Sequence, residues 1–171
     1  SGWEKIGNDT YHFASAGAMD RGWTVIDGKN YYLDTTGIMY TGWLEQNGTY
    51  YYLTEDGSMA TGWLPLGNTW YYLTDKGVML TGWQDINGSR YYLDESGVMQ
   101  TGWKDYNQSR YYLNTSGAMV TGWNFIDNSW YYFNEEGQQQ KGWQKINDAW
   151  YYLDAEGRMT TGWYTEGVNR Y

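Results

Sequence analysis

The residues of this chain that could do chemistry are its aromatics, and they recur in fixed slots. Trp63, Trp70 and Tyr72 form one group, and the same slots elsewhere hold Trp43, Tyr50 and Tyr52, then Trp123, Trp130 and Tyr132, then Trp143, Trp150 and Tyr152. A cluster of ring faces without a cationic side chain, on a chain whose net charge is −9, suits a quaternary ammonium group. The ring faces carry negative quadrupole density, and a trimethylammonium makes no hydrogen bonds that burial would cost it. A flexible Met at the edge would complete such a box. A sugar, whose apolar face also stacks on Trp and Tyr, is the other ligand class that fits. A purely structural reading exists too, because Trp and Tyr favour strands and pair across them without binding anything. It accounts well for the Gly-Trp tryptophans alone. The three-aromatic groups point to binding, since exposed aromatic clusters otherwise cost solubility.

Other chemistry finds little support. The single His, His12, stands alone, there is no Cys, and no Gly-rich phosphate loop is present. Carboxylates such as Asp56, Glu95 and Glu136 fall in turn segments where acidic residues are common, so an acid pair is not expected from them. Asp154 and Glu156 lack the ligand count of a dedicated Ca²⁺ site. The expectation is therefore a non-catalytic chain with no cofactor and no metal. Its negative charge would repel nucleic-acid phosphates. No apolar run of the roughly 20 residues needed to span a bilayer occurs, so no membrane insertion is expected.

These aromatics are positioned by a repeat of 20 residues. Gly-Trp opens each copy, from Gly2-Trp3 to Gly162-Trp163, and a Tyr follows eight residues after each Trp, from Tyr11 to Tyr171. A fixed period of this length signals a repeat architecture. Between the two apolar runs of a copy lie Gly67-Asn68, Asp27-Gly28, Asn47-Gly48, Asn87-Gly88 or Asn147-Asp148. Such pairs suit type I′ turns, which need positive φ at both central residues, so each copy should be a β-hairpin with a two-residue loop. That register pairs Trp63 with Tyr72 and Pro65 with Trp70. Side-chain alternation then puts Trp63, Pro65, Trp70 and Tyr72 on one face and Leu64, Leu66, Tyr71 and Leu73 on the other.

A second turn ends in Gly37, Gly57, Gly77 and their equivalents, and Met follows at 19, 39, 59, 79, 99, 119 and 159, with Gln139 the exception. Leu33, Leu53, Leu73, Leu93, Leu113, Phe133 and Leu153, with Ile26, Leu66, Ile86, Ile126 and Ile146, make the stripe expected to form the interior. A lone hairpin is marginal in water, so stacking on this stripe must hold the array together. The first copy, with His12 and Thr10 in aromatic slots, reads as a cap. The fold expected is an all-β solenoid of about eight hairpins, one domain over 1–171, with both ends of the sequence falling inside the repeat pattern.

The pattern Thr61-Gly62-Trp63, four residues, Asn68-Thr69-Trp70-Tyr71-Tyr72-Leu73, Gly77-Val78-Met79 resembles the choline-binding, or cell-wall-binding, repeats of pneumococci, related streptococci and their phages, across essentially the whole chain. Similar repeats in clostridial toxins and glucan-binding domains of glucosyltransferase type bind other carbohydrates, which keeps a glucan or oligosaccharide as the alternative ligand. The resemblance implies a left-handed superhelix of hairpins with choline held between consecutive hairpins. It implies phosphocholine of teichoic or lipoteichoic acid as partner and a place in the extracellular bacterial cell wall or on the cell surface. A dimer linked through ligand is an assembly it allows. Carried over residue by residue, it implies three cages: Trp43, Tyr50 and Tyr72; Trp63, Trp70 and Tyr92; Trp123, Trp130 and Tyr152. Met79, Met99 and Met159 would be fourth walls. Trp143 and Trp150 would open a further cage whose Tyr lies past the last residue of the sequence. Asn30, Arg90 and Arg110 depart from the pattern at the second aromatic slot, and an Arg there would repel a cation.

Overall fold

The computed structural model describes residues 1–162, together with the backbone of 165–166 and 169–170. Sixteen strands of five residues pair in sequence order. They are β1 (Gly2–Ile6) with β2 (Asp9–Phe13), β3 (Gly22–Ile26) with β4 (Lys29–Leu33), β5 (Gly42–Gln46) with β6 (Thr49–Leu53), and β7 (Gly62–Leu66) with β8 (Thr69–Leu73). Then come β9 (Gly82–Ile86) with β10 (Ser89–Leu93), β11 (Gly102–Tyr106) with β12 (Ser109–Leu113), β13 (Gly122–Ile126) with β14 (Ser129–Phe133), and β15 (Gly142–Ile146) with β16 (Ala149–Leu153). A short pair, β17 (Thr165–Glu166) and β18 (Asn169–Arg170), follows. Trp163 and Tyr171, the last marks of the sequence period, lie outside the described residues. The fold is all-β and contains no helix among the described residues. Two compact units are present: Ser1–Gly82 with Leu93–Met99, and Trp83–Tyr92 with Gln100–Tyr171.

The hairpin register follows the sequence pattern, with Trp63 opposite Tyr72, Pro65 opposite Trp70 and Leu66 opposite Thr69. The turns divide into two kinds. Asn107-Gln108, Asp127-Asn128 and Asn147-Asp148 have positive φ at both residues, as type I′ requires. At Gly7-Asn8 and Gly67-Asn68 positive φ occurs at the Gly but not at the Asn. These two are therefore of the II′ kind, where Gly comes first, and the I′ expectation for Gly67-Asn68 is corrected.

Burial explains why so short a hairpin persists. Leu33, Leu53, Leu73, Leu93, Leu113, Phe133 and Leu153, which end the second strands from β4 to β16, are 0% exposed, and Ile26, Ile86, Ile126 and Ile146 are buried with them, whereas Phe13 at the end of β2 is only partly covered. Leu66 is only partly covered. In the first copy Ile6 is exposed, and His12 packs on Trp3 with ring centroids 4.9 Å apart while its Nδ1 lies 2.5 Å from an Asp20 carboxylate oxygen.

Within each unit, connectors run back to an earlier hairpin. After β6 the chain folds back, Thr54 N–H donating to the Ser58 carbonyl, and Met59 N–H then donates to the Asn30 carbonyl on β4, 2.8 Å away. The same link runs from Met39 to Thr10, Met79 to Tyr50 and Met99 to Trp70 in the first unit. In the second it runs from Met119 to Arg90, Gln139 to Arg110 and Met159 to Trp130. Turn carboxylates and amides hold these connectors: Asp34 Oδ1 accepts from Thr36 N–H at 2.8 Å and Ile38 N–H at 3.0 Å, and Asn114 does the same for Ser116 and Ala118. Such side-chain to backbone bonds are what Asp and Asn offer in turns.

Candidate functional site: aromatic cages between consecutive hairpins

The Met link determines which side chains meet. Because Met79 N–H is bonded to the Tyr50 carbonyl, the connector after β8 lies along β6, next to the exposed ring of Tyr50. On the hairpin of β5 and β6, Trp43 stands opposite Tyr52 and Glu45 opposite Tyr50. Trp43 meets Tyr52 edge-on, with centroids 5.2 Å apart. From the next hairpin Tyr71 reaches Trp43 edge-on, at 4.9 Å and 64°. Trp43, Tyr50, Tyr71 and Met79 line a cavity of about 350 Å³, with Glu95 and Ser96 at its rim. Asp94 Oδ1 accepts from Ser96 N–H at 2.9 Å and Val98 N–H at 3.0 Å, which fixes the turn that presents Glu95. Gly97 in that turn has φ 82°, and a Cβ there would collide with the Met79 thioether, so the Gly serves both the turn and the cage wall.

The tyrosine offset expected from the family is corrected by this geometry. Trp23 meets Tyr51, Trp43 meets Tyr71, Trp83 meets Tyr111, Trp103 meets Tyr131 and Trp123 meets Tyr151, with centroids 4.9 to 5.0 Å apart. The residue delivered to the preceding hairpin is thus the first of each Tyr-Tyr pair. Tyr72 packs instead on Trp63 of its own hairpin at 5.1 Å, and Tyr152 on Trp143 at 5.2 Å. The cause is alternation along the strand: Tyr72 shares a face with Trp63, so only Tyr71, on the opposite face, can turn toward the hairpin before.

The second complete grouping is Trp123, Trp130, Tyr151 and Met159. Trp123 and Trp130 are nearly perpendicular, 6.5 Å apart at 84°, Phe125 leans on Trp130 at 5.4 Å, and Met159 N–H donates to the Trp130 carbonyl at 2.7 Å. In the first unit Trp63 and Trp70 make the same pair at 6.4 Å and 80°, with Met99 N–H bonded to the Trp70 carbonyl at 2.8 Å. Tyr92, expected to join them, belongs to the second unit and there packs on Trp83 at 5.2 Å. Trp143 and Trp150 form a further pair at 6.5 Å. The tyrosine in the corrected position for that pair is Tyr171, which lies outside the described residues.

The remaining copies differ in kind. Beside Trp23 a cavity of about 370 Å³ is lined by Asn30, Tyr51, Met59, Asp75 and Lys76, and the Trp23 indole N–H donates to Gln46 Oε1 at 2.8 Å. At the next two departures the Arg guanidinium lies over the tryptophan: Arg90 is 5.5 Å from the Trp83 centroid and Arg110 is 4.5 Å from that of Trp103. Each Arg pairs across the hairpin with a carboxylate, Asp85 at 3.7 Å and Asp105 at 3.5 Å. Gln139 fills the Met position of the Trp103 copy, donating through Nε2 to the Glu156 carbonyl at 2.8 Å.

Tyr71, Glu95 and Ser96, which line the Trp43 cavity, and Tyr151, which meets Trp123, are candidate residues that the sequence pattern did not single out. Glu95 and Ser96 sit two copies after Trp43, and finding them needs the rise between hairpins, which no local pattern encodes. Among the described residues no group of three or more His, Asp or Glu could hold a metal ion, and no helix is long and apolar enough to cross a membrane.

A family model for the choline-binding repeat matches residues 1–41, 40–81, 80–121, 120–156 and 141–171. The chain belongs to the choline-binding repeat family. It is similar to the solved structure of CbpJ from Streptococcus pneumoniae, at 38% identity over 89% of this chain and 56% of that one, with a TM-score of 0.82. It is similar to choline-binding protein F, CbpF, from Streptococcus pneumoniae, at 36% identity over 94% of this chain and 57% of that one, with a TM-score of 0.87. CbpF in complex with ipratropium matches at 33% identity over 94% of this chain and 59% of that one, with a TM-score of 0.84. The chain thus spans a little over half the length of these relatives. No curated relative matches its sequence.

Proposed function

We propose that this chain is a non-catalytic attachment module that binds choline, as the phosphocholine of teichoic or lipoteichoic acid, in aromatic cages between consecutive hairpins, and that it works outside the cell at the bacterial wall. The observation that carries the reading is the cavity of Trp43, Tyr50, Tyr71 and Met79, whose walls hold no cationic side chain and whose rim bears Glu95. A quaternary ammonium needs ring faces, a polarisable filler and a negative rim, and it needs no hydrogen-bond donor. Ipratropium, in the CbpF complex, is itself a quaternary ammonium compound, which supports the same chemistry for this chain.

Three ring faces at about 0.5 to 2 kcal/mol each, less ordering costs, give a single site near the roughly −4 kcal/mol of a millimolar dissociation constant. Several such sites facing a polymer that repeats its ligand turn later contacts into intramolecular ones, raising avidity by about 10² to 10⁴. The test is retention on an immobilised choline or trialkylamine matrix. Elution by free choline at tens of millimolar, roughly ten times that dissociation constant, with no elution by glucose, is the expected result. Retention that choline cannot reverse, or release by a glucan oligosaccharide, overturns the choline reading in favour of a carbohydrate.

A further inference from the structure

We infer that Arg90 and Arg110 are resident cations that close the cages of their own copies, taking the place over the tryptophan that a quaternary ammonium takes in an open cage. The inference rests on the choline reading of the open cages and adds which copies are shut and by what. The frame around Arg90 is that of an open cage: Trp83 meets Tyr111 at 5.0 Å, and Met119 N–H donates to the Arg90 carbonyl at 2.7 Å, as Met79 does to Tyr50. Of the four walls that line the Trp43 cavity, Trp, Tyr, Tyr and Met, the one in the second aromatic slot is replaced by Arg90. Its guanidinium lies 5.5 Å from the Trp83 centroid, within the roughly 6 Å over which a cation is held by a ring face.

The pairing across the hairpin gives each Arg a partner. Arg110 faces Asp105 and Arg90 is paired with Asp85, at the position that holds Glu45 opposite Tyr50, Pro65 opposite Trp70 and Phe125 opposite Trp130 in the open copies, so in the Arg copies a carboxylate there meets a cation of the chain's own. Each Asp supplies the counter-charge, so the Arg can stay over the ring without an exogenous anion. The Trp103 copy carries the change further. There the guanidinium is closer, at 4.5 Å, and Gln139 replaces the Met that would fill an apolar cage. Around Trp83 the neighbouring rings are taken as well: Tyr106 lies 6.1 Å from Trp83, and Lys104 Nζ is 4.0 Å from the Tyr92 centroid. A second cation entering either cage would meet a like charge and find the ring face occupied. The two consecutive copies are therefore satisfied by their own side chains and do not depend on ligand for their packing.

The experiment is a choline titration of the full chain followed by NMR at the Trp indole and Arg side-chain N–H signals, in the wild type and in Arg90→Tyr. That variant gives the Trp83 copy the same wall types as the Trp43 copy. In the wild type the Trp43 indole signal should move with choline while the Trp83 signal stays fixed, and the Arg90 Nε–H should be shifted upfield by the ring and unmoved by choline. In Arg90→Tyr the Trp83 signal should move over the same millimolar range as Trp43. A Trp83 or Arg90 signal that follows choline in the wild type overturns the inference, as does a folded Arg90→Tyr whose Trp83 signal stays fixed while Trp43 responds. Should the variant fail to fold, the wild-type Arg90 and Trp83 signals decide alone. No choline response at Trp43 or any other indole would overturn the attachment reading and this inference with it.

Discussion

Replacing Gly97 by Ala separates the backbone role of the turn glycine from its role beneath the cage, provided Gly48→Ala is measured beside it. Both glycines have positive φ, 82° and 76°, so each substitution places an L side chain in the left-handed region at about 1–2 kcal/mol. At Gly48 the added Cβ meets nothing within 4 Å, whereas at Gly97 it collides with the Met79 thioether. The position equivalent to Gly48 is held by Gln108, Asn128 and Asp148 at φ 64° to 66°, so a side chain there is tolerable. Met79 cannot retreat as a whole, because its N–H is fixed on the Tyr50 carbonyl, so its side chain must swing away from its place against the cage. Overpacking of this kind adds about 1–3 kcal/mol. Urea unfolding followed by tryptophan fluorescence should therefore show a total loss of about 2–4 kcal/mol for Gly97→Ala against about 1–2 for Gly48→Ala. Choline affinity at Trp43 should fall in the first variant and not in the second. Adding Met79→Ala to Gly97→Ala should remove most of the extra cost. Equal costs and equal affinities in the two variants would refute the claim that Met79 is a wall fixed against Gly97.

Tyr71→Leu should weaken choline at Trp43 by about 0.5–2 kcal/mol, roughly 2- to 30-fold, while Tyr72→Leu should leave that site nearly unchanged, as read from the Trp43 indole signal in a choline titration. Glu95→Gln should weaken the same site by less than about 1 kcal/mol, and the difference should vanish in 1 M salt, where exposed charges are screened within about 3 Å. Stability should fall with acid. Hydrogen bonds from Thr36 hold Asp34 below its ordinary 3.8, and those from Ser58 and Thr54 hold Asp56 lower still. At Asp154 partial burial pushes upward, but the Arg158 N–H and guanidinium outweigh it and the pKa is lowered. A carboxylate depressed in the folded state contributes stability above its unfolded pKa, so thermal midpoints should be flat above about pH 5 and drop below about pH 4 as these groups take up protons.

The hairpins were legible because each is specified within a dozen residues. Gly-Trp, the turn pair and Tyr-Tyr-Leu set the register, and the buried Leu or Phe of each copy from the second onward falls where strand alternation puts it. What the sequence left open lies between copies. Alternation puts Tyr71 and Tyr72 on opposite faces, but that the Tyr71 face is the one turned toward Trp43 shows only once the connector that links Met79 to Tyr50 is placed, a contact made across most of two copies. Glu95 at the rim of the Trp43 cage was hidden for the same reason. The turn at Gly67-Asn68 misled because Gly and Asn occur in both hairpin turn types, and only their order separates II′ from I′. The departures at Arg90 and Arg110 were visible as broken slots, yet their place over Trp83 and Trp103 follows from the cross-strand Asp partners, which read locally as ordinary surface charges.

The central claim, that open aromatic cages take a quaternary ammonium and the Arg-filled copies do not, is tested most directly by a crystal structure of this chain grown with choline. Trimethylammonium density enclosed by Trp43, Tyr50, Tyr71 and Met79, and again by Trp123, Trp130, Tyr151 and Met159, with none over Trp103, is the result expected. Choline seated over Trp103 as fully as at Trp43, or cages that stay empty of choline yet fill with a glucan oligosaccharide, would contradict it.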